Sequence, residues 1–169
     1  YGKAQGIAEA HMLSQTVLVQ LSALAAIPLW TLLADKLGRK KIYIGGYIVV
    51  AVLLWFYMTQ LHDANVIGVY LLGFVMQGIF YSAVNGVWPA FYAEMFPTRV
   101  RVTGLALGTQ IGFAISGGVA PAVATSLAGA DLHNAVLPAV FTVAMCVLVA
   151  LGALTAREGY KKSLAELDV

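Results

Sequence analysis

The chain has 169 residues, of which 60% are hydrophobic and 11% are charged, with ten Lys or Arg against eight Asp or Glu. Soluble globular domains carry about 25% charged residues, so this composition excludes an ordinary soluble domain and a disordered tail. A net charge of +2 is too small to suggest a nucleic-acid binder, and the single cysteine excludes a disulfide framework. The composition therefore predicts a protein embedded in a membrane.

Five stretches without Asp, Glu, Lys or Arg follow one another along the chain, at residues 12–34, 42–60, 66–93, 102–130 and 132–156. Because a helix rises about 1.5 Å per residue, roughly 20 residues cross the hydrocarbon core, and each stretch is long enough. The run from Val49 to Phe56 does not alternate apolar and polar residues, as a barrel strand would. The sequence predicts an all-α, polytopic membrane protein with helices at about 12–34, 42–60, 66–92, 102–127 and 134–156.

The basic residues indicate how these helices are oriented. Nine of the ten lie in two connections and the tail, whereas Lys3 lies on the opposite side with the outer segment 1–11; the nine are Lys36, Arg39, Lys40, Lys41, Arg99, Arg101, Arg157, Lys161 and Lys162. Cytoplasmic loops collect Lys and Arg, so we expect the C-terminal tail, residues 157–169, in the cytoplasm. The chain opens with Tyr1 and has no initiator Met, so we expect it to be a piece of a longer protein.

Small residues recur at four-residue spacing in two spans, which places each row on one helix face. The third span has Gly78, Ser82 and Gly86, and the fourth has a helix-packing row of Gly104, Gly108 and Gly112. Such faces let another helix approach closely, and both a static contact and a moving interface fit them. Prolines inside the spans also allow two interpretations. Either transmembrane helices simply tolerate them, or they kink helices that line a transport pathway which must open and close. These prolines are Pro28, Pro89, Pro121 and Pro138.

Uncharged polar residues within the spans should face the protein interior or water, because an unpaired amide in lipid costs several kcal/mol. Gln77, Tyr81, Asn85 and Trp88 share one flank of the third span, and we expect them to line a cavity. Gln15 and Gln110 are further candidates. The alternative is that these amides join helices by hydrogen bonds.

No catalytic or metal-binding motif stands out in the sequence. It has no His-Glu-x-x-His, no Gly-x-Ser-x-Gly, no phosphate-binding glycine loop with lysine and no His/Cys/Asp cluster at metal spacing. No ionisable residue falls in the middle of a span, so a proton carrier is not expected in this chain. We predict that the protein is not an enzyme and needs no cofactor or metal.

Two loops carry the most specific pattern in the chain. Residues 34–41, Ala-Asp-Lys-Leu-Gly-Arg-Lys-Lys, resemble the Asp-Arg-x-Gly-Arg-Arg/Lys signature of the major facilitator superfamily. Residues 93–104, Ala-Glu-Met-Phe-Pro-Thr-Arg-Val-Arg-Val-Thr-Gly, resemble the loop between helices ten and eleven of its metabolite:proton symporters. Residues 107–110 and 117–121 resemble the eleventh helix that follows. One position departs from the signature, since Thr31 stands where Gly is usual.

The resemblance implies a twelve-helix secondary transporter of the cytoplasmic (inner) membrane, with this chain supplying helices eight to twelve of the C-terminal six-helix half. The resemblance also implies that the N-terminal half is missing from this chain. Family members move small metabolites, such as organic acids or zwitterionic osmolytes, by alternating access and commonly with a proton. The implied partners are a metabolite, the lipid bilayer and the missing half, without nucleic acid. The alternative is a non-transport membrane sensor or an assembly subunit on the same fold.

The charged loops are candidate gating elements. We expect Asp35 to begin a tight turn, Gly38 to let the backbone reverse, and Arg39 to lie within reach of Asp35. Lys40 belongs to the same loop, and a second cluster is expected to join Glu94 with Arg99 or Arg101. These charges either gate the inner side or only fix topology. In the superfamily the acidic residue also caps a helix of the opposite half, so Asp35 is expected to lack that partner here. The cavity face and the glycine face of this chain are likewise expected to lack the helices that would cover them.

Overall fold

A computed structural model describes residues 1–129, 131–132 and 134–156. This part of the chain is helical and contains no strand, which confirms the all-α prediction. The helices are α1 (Glu9–Leu37), α2 (Arg39–His62), α3 (Val66–Gly73), α4 (Tyr81–Ala93), α5 (Arg101–Ala128) and α6 (Val136–Thr155), with a π-helical segment (Phe74–Phe80) joining α3 to α4. The joined helix Val66–Ala93 and the four others give five elements long and apolar enough to cross a membrane. The expected tail, residues 157–169, lies outside the described residues.

The first two helices extend beyond the uncharged stretches that predicted them. α1 includes Asp35 and Lys36 in its last turn, and α2 includes Arg39, Lys40 and Lys41 in its first turn. Charged side chains at a helix end can reach the membrane–water boundary, so the backbone stays helical where the hydrocarbon ends. The first charged residue therefore does not mark the end of the helix in α1 or its start in α2.

A single glycine separates α1 from α2. Gly38 has φ 104° and ψ 131°, and its N–H donates to the carbonyl of Ala34 at 2.9 Å. This backbone conformation is sterically open to glycine and strained for other residues. The two helices consequently reverse direction with no intervening loop.

α2 is the central helix of the bundle. Its buried residues pack against the third span and α6 in two clusters, one around Val50 and Tyr57 with Val69, Met76 and Cys146, the other around Tyr43 with Val84, Val87, Phe91 and Ala153. Ile7, which precedes α1, joins the first cluster. The core thus forms around α2, and the faces of the other helices turned away from it are left exposed.

The small row of the third span faces α1. Ser82 is fully buried, and a Cβ on Gly86 would lie 2.9 Å from Thr31 Oγ1 and 3.1 Å from the carbonyl oxygen of Ile27. A Cβ on Gly78 would meet Ser22. Thr31, the departure from the family signature, is therefore accommodated because a glycine lies opposite it.

α5 is the most loosely attached helix. Ala128, at its C-terminal end, is its one buried residue within the described chain. A Cβ on Gly108 or Gly112 would have no atom within 4 Å. At these two positions the helix-packing row of α5 therefore contacts no second helix among the described residues, and it lines an open cleft instead.

Candidate functional site

A cleft of about 620 Å³ lies between α4 and α5, with α2 at its base. The lining residues are Tyr43 and Tyr47 from α2; Tyr81, Val84, Asn85, Trp88 and Tyr92 from α4; Met95 and Phe96 from the following loop; Gly104, Leu105, Gly108, Thr109, Gly112, Phe113 and Ser116 from α5; and Val149 from α6. Pockets for small ligands commonly have volumes of about 300–1,000 Å³. The cleft has room for a metabolite-sized molecule.

Three of the sequence-predicted cavity residues meet in this cleft. Tyr81, Asn85 and Trp88 all line it from α4, where their three- and four-residue spacing places them on one face. Trp88 also contacts the opposite wall, since its ring lies 6.0 Å from that of Phe113 at an interplanar angle of 86°. The residues thus form a continuous wall against which a ligand can lie.

Gln77, expected on the same flank, does not line the cleft. It lies in the π-helical segment, where hydrogen bonds join residues five apart and each turn is wider than in an α-helix. Four residues therefore span less than one full turn here, and Gln77 does not lie on the same face as Tyr81. The π segment turns Gln77 away from the flank that the sequence predicted. Near the C-terminal end of the π-helical segment, the carbonyl of Ile79 accepts a hydrogen bond of 2.8 Å from the indole N–H of Trp30.

Gln15 and Gln110 also lie away from the cleft. Gln15 is buried between α1, α2 and α3, where its Oε1 accepts a long hydrogen bond, 3.4 Å, from the hydroxyl of Tyr57 and its Nε2 has no partner. A Cβ on Gly73 would collide with the same amide. Gln110 is exposed, whereas its neighbour Thr109 faces the cleft.

The sequence analysis missed the tyrosines at the base of the cleft. The hydroxyls of Tyr43 and Tyr92 lie 2.6 Å apart, and the ring of Tyr43 is 5.1 Å from that of Tyr47. Tyr43 and Tyr47 are four residues apart in α2, so their shared face was readable from the sequence. Their juxtaposition with α4 was not, because it depends on how the helices pack.

An ionic cluster, formed by Asp35, Arg39 and Glu94, lies at the end of the bundle where α4 finishes. Arg39 Nη2 lies 3.0 Å from Asp35 Oδ1, and Arg39 Nη1 forms an ion pair with Glu94. The Glu94 side chain is only 13% exposed, whereas that of Asp35 is 50% exposed. The two loops therefore share one cluster, in place of the separate Glu94 cluster with Arg99 or Arg101 that the sequence suggested.

Two other basic residues of these loops, Lys40 and Arg101, donate to backbone carbonyls. Lys40 Nζ donates to the carbonyls of Leu154 and Ala156 at 2.7 and 2.8 Å, so it binds the C-terminal end of α6, where the helix dipole favours a positive charge. Arg101 Nε donates to the carbonyls of Ala93 and Phe96 at 2.9 and 3.2 Å. Arg99 is exposed. The ends of α1, α4 and α6 and the starts of α2 and α5 therefore lie at one end of the bundle.

Two atoms beside the ionic cluster are buried without a hydrogen-bond partner, Glu94 Oε2 and Arg101 Nη2. Buried polar atoms in proteins are nearly always paired, so these two atoms are exceptions within the described part of the chain. Among the described residues, no group of three His, Cys, Asp or Glu is arranged to hold a metal ion.

The chain was compared with protein families and with known proteins. The model of the Major Facilitator Superfamily matches residues 2–167. The Shikimate transporter of Escherichia coli (strain K12) is 24% identical over 135 residues, which are 80% of this chain and 31% of that protein. The Citrate-proton symporter of Salmonella typhi is 29% identical over 112 residues, 66% of this chain and 26% of that protein. The Proline/betaine transporter of Escherichia coli (strain K12) is 26% identical over 156 residues, 92% of this chain and 31% of that protein.

The chain thus spans less than a third of the length of these relatives. No solved structure matches it significantly. The family match covers nearly every residue, including both loops in which the signature was found. The chain is a multi-pass membrane protein that belongs to the major facilitator superfamily.

Proposed function

We propose that the chain forms helices eight to twelve of a secondary transporter. The transporter moves an organic acid or a zwitterionic osmolyte across the cytoplasmic membrane, and it is not an enzyme. Its relatives are named as transporters of shikimate, citrate and proline or betaine, which are molecules of these two kinds. Two helical halves would move against each other around a site near the membrane midplane, which is the mechanism of alternating access. This half would supply one wall of that site.

One observation carries the proposal: α4 joins the cleft to the ionic cluster. Trp88 lines the cleft, and Glu94, six residues later, binds Arg39. At about 1.5 Å per residue the two positions are roughly 9 Å apart along the helix axis. A tilt or rotation of α4 that changes the width of the cleft would therefore also displace Glu94 from Arg39.

The ionic cluster would act as the inner gate. Arg39 at the start of α2 binds carboxylates on both neighbouring segments, so separation of the ends of α2 and α4 requires the ion pair to break. The basic end of the bundle would face the cytoplasm, as the positive-inside rule requires.

A proton is the expected coupling ion. Among the described residues, the carboxylates and histidines of the spans lie near helix ends: Glu9, His11, Asp35 and His62. A proton relay needs a titratable group at membrane depth, so the carrier would lie in the other half of the transporter.

The direct test is flux through the intact protein reconstituted in proteoliposomes. Radiolabelled citrate, shikimate, proline and glycine betaine would be offered with and without an inward proton gradient. We expect uptake of at least one solute above that of empty liposomes, stimulated by the gradient and abolished by a protonophore. Binding without flux in folded protein would favour the sensor or assembly subunit instead.

Asn85 gives a residue-level test of the cleft. Asn85→Ala removes an exposed amide from the α4 wall, so we expect the KM for the transported solute to rise about tenfold, because a hydrogen bond to a charged group contributes about 1.5 kcal/mol. Gln110→Ala is the matched control, since it removes an exposed amide from α5 outside the cleft. A loss of protein yield with an unchanged KM would assign Asn85 to helix packing.

A further inference from the structure

We propose that the cleft takes a zwitterion whose cationic end is a quaternary ammonium group, in preference to a polycarboxylate anion. This inference rests on the proposed function and narrows its substrate class. It follows from three properties of the lining: its aromatic content, its lack of charge and the position of its one free amide.

Aromatic rings dominate the lining. Seven of the seventeen lining residues are Tyr, Trp or Phe, whereas 11% of the whole chain is aromatic. The face of an aromatic ring is electronegative and attracts a cation that has lost its water, and quaternary ammonium groups are the ligands most often held in this way. The same faces repel carboxylates. The wall is therefore suited to a cation.

Several of these rings are accessible to a ligand, among them Phe113, which is 58% exposed. Tyr81 is 40% exposed, and Trp88 is half-buried, with its ring 5.9 Å from that of Tyr92 and 6.0 Å from that of Phe113. Opposite them, Gly108 and Gly112 add no side chain, and a Cβ at either position would have no atom within 4 Å. The glycines leave the space in which a trimethylammonium group can meet the rings.

The described lining contains no Lys, Arg, His, Asp or Glu. Three basic residues near the lining in sequence are held elsewhere: Arg39 by two carboxylates, Lys40 by two carbonyls of α6 and Arg101 by the carbonyls of Ala93 and Phe96. Lys41 and Arg99 are exposed and do not line the cleft. A polycarboxylate would therefore lose its hydration in this half of the site without gaining a positive partner. A quaternary ammonium group loses less, because its methyl groups bind water weakly and the rings replace it.

The carboxylate end of such a zwitterion has a donor in Asn85. The side-chain hydroxyls of the opposite wall are already bound within α5, Thr109 to the carbonyl of Leu105 at 2.7 Å and Ser116 to that of Phe113 at 3.4 Å. Asn85 makes no such bond among the described residues and lies between Tyr81 and Trp88 in the wall. One amide donor suits a single carboxylate.

The test compares two ligands of the same shape and different charge on the intact transporter in proteoliposomes. Glycine betaine carries a trimethylammonium group, and 3,3-dimethylbutanoate replaces its nitrogen with carbon. We expect uptake of labelled glycine betaine, and inhibition by the carbon analogue about tenfold weaker than by unlabelled betaine, which is the range of a desolvated cation–π contact.

Variants then locate the contact. Tyr81→Leu and Trp88→Leu should raise the KM for betaine about tenfold and make the inhibition constants of the two analogues nearly equal. Tyr81→Phe and Trp88→Phe keep a ring and should change the KM less than threefold. Trp55→Leu is the control, because Trp55 is exposed on α2 outside the cleft. Tyr81 provides the informative variant if replacement of Trp88 prevents folding.

Three outcomes would overturn the inference. Uptake of citrate or shikimate without betaine would refute the substrate class and leave the transporter proposal intact. Equal inhibition by the two analogues in the unmodified protein would show that shape and not charge is recognised. Uptake of none of the solutes by folded protein would refute the proposed function and this inference with it.

Discussion

Arg39, the first residue of α2, forms an ion pair with Glu94, the residue that follows α4. Arg39 also binds Asp35, which lies in the last turn of α1. A planar guanidinium with several donors can hold two carboxylates at once, which a lysine ammonium does less well. One side chain therefore joins the ends of three helices at the basic end of the bundle.

The two carboxylates should differ in their effects when neutralised. Glu94→Gln leaves Arg39 with one partner at a mostly buried position, so we expect a loss of about 1–3 kcal/mol in the stability of the intact protein. Asp35→Asn changes a half-exposed pair and should cost less than about 1 kcal/mol while still slowing uptake, with little loss of expression.

Thermal unfolding in detergent and initial uptake rates would measure both effects. Lys41→Gln is the matched control, because Lys41 is an exposed basic residue of the same turn. Unchanged uptake in both carboxylate variants would show that the loops only determine topology.

Gly38→Ala should destabilise the turn between α1 and α2. At φ 104° a residue with a Cβ is strained by about 1–3 kcal/mol, so we expect a lower thermal midpoint in detergent. Gly45→Ala is the control within α2, since a Cβ there would meet no atom within 4 Å and alanine favours the helix. A midpoint that falls equally in both variants would contradict the assigned role of the Gly38 conformation.

Gly86→Ala should disturb the contact between α1 and α4. Its Cβ would lie 2.9 Å from Thr31 Oγ1 and 3.1 Å from the backbone oxygen of Ile27, so one helix must shift, at a cost of about 1–3 kcal/mol. The double variant Thr31→Gly/Gly86→Ala removes the first of these contacts and should recover part of the loss. Gly152→Ala, in open space on α6, should have little effect on the same unfolding measurement. No recovery in the double variant would show that Thr31 and Gly86 do not compensate for each other.

Gln15→Met tests whether the buried amide of α1 is structural. Gln15 Nε2 is buried without a partner and its one hydrogen bond, to Tyr57, is long, so an apolar side chain of similar length should leave stability unchanged or raise it. Uptake kinetics should also be unchanged, because Gln15 lies away from the cleft. A higher KM in this variant would show that Gln15 takes part in substrate binding.

The spans were predictable because their signal is local. Uncharged stretches of membrane length mark each helix, and the structure has a helix at each of them. The same local reasoning placed Tyr81, Asn85 and Trp88 on one face, since α4 is a regular α-helix. It failed for Gln77, because the change from α to π geometry between Phe74 and Phe80 has no clear signature in the sequence.

By itself, the sequence determined that this chain is a helical membrane protein with five spans and basic connections, because hydrophobicity and charge act residue by residue along the chain. Only the tertiary structure decided which surfaces meet. It paired Glu94 with Arg39, 55 positions away, and brought Tyr43 of α2 to the base of a cleft between α4 and α5. Such contacts depend on the packing of whole helices, whose faces can combine in several ways until shape and burial select one.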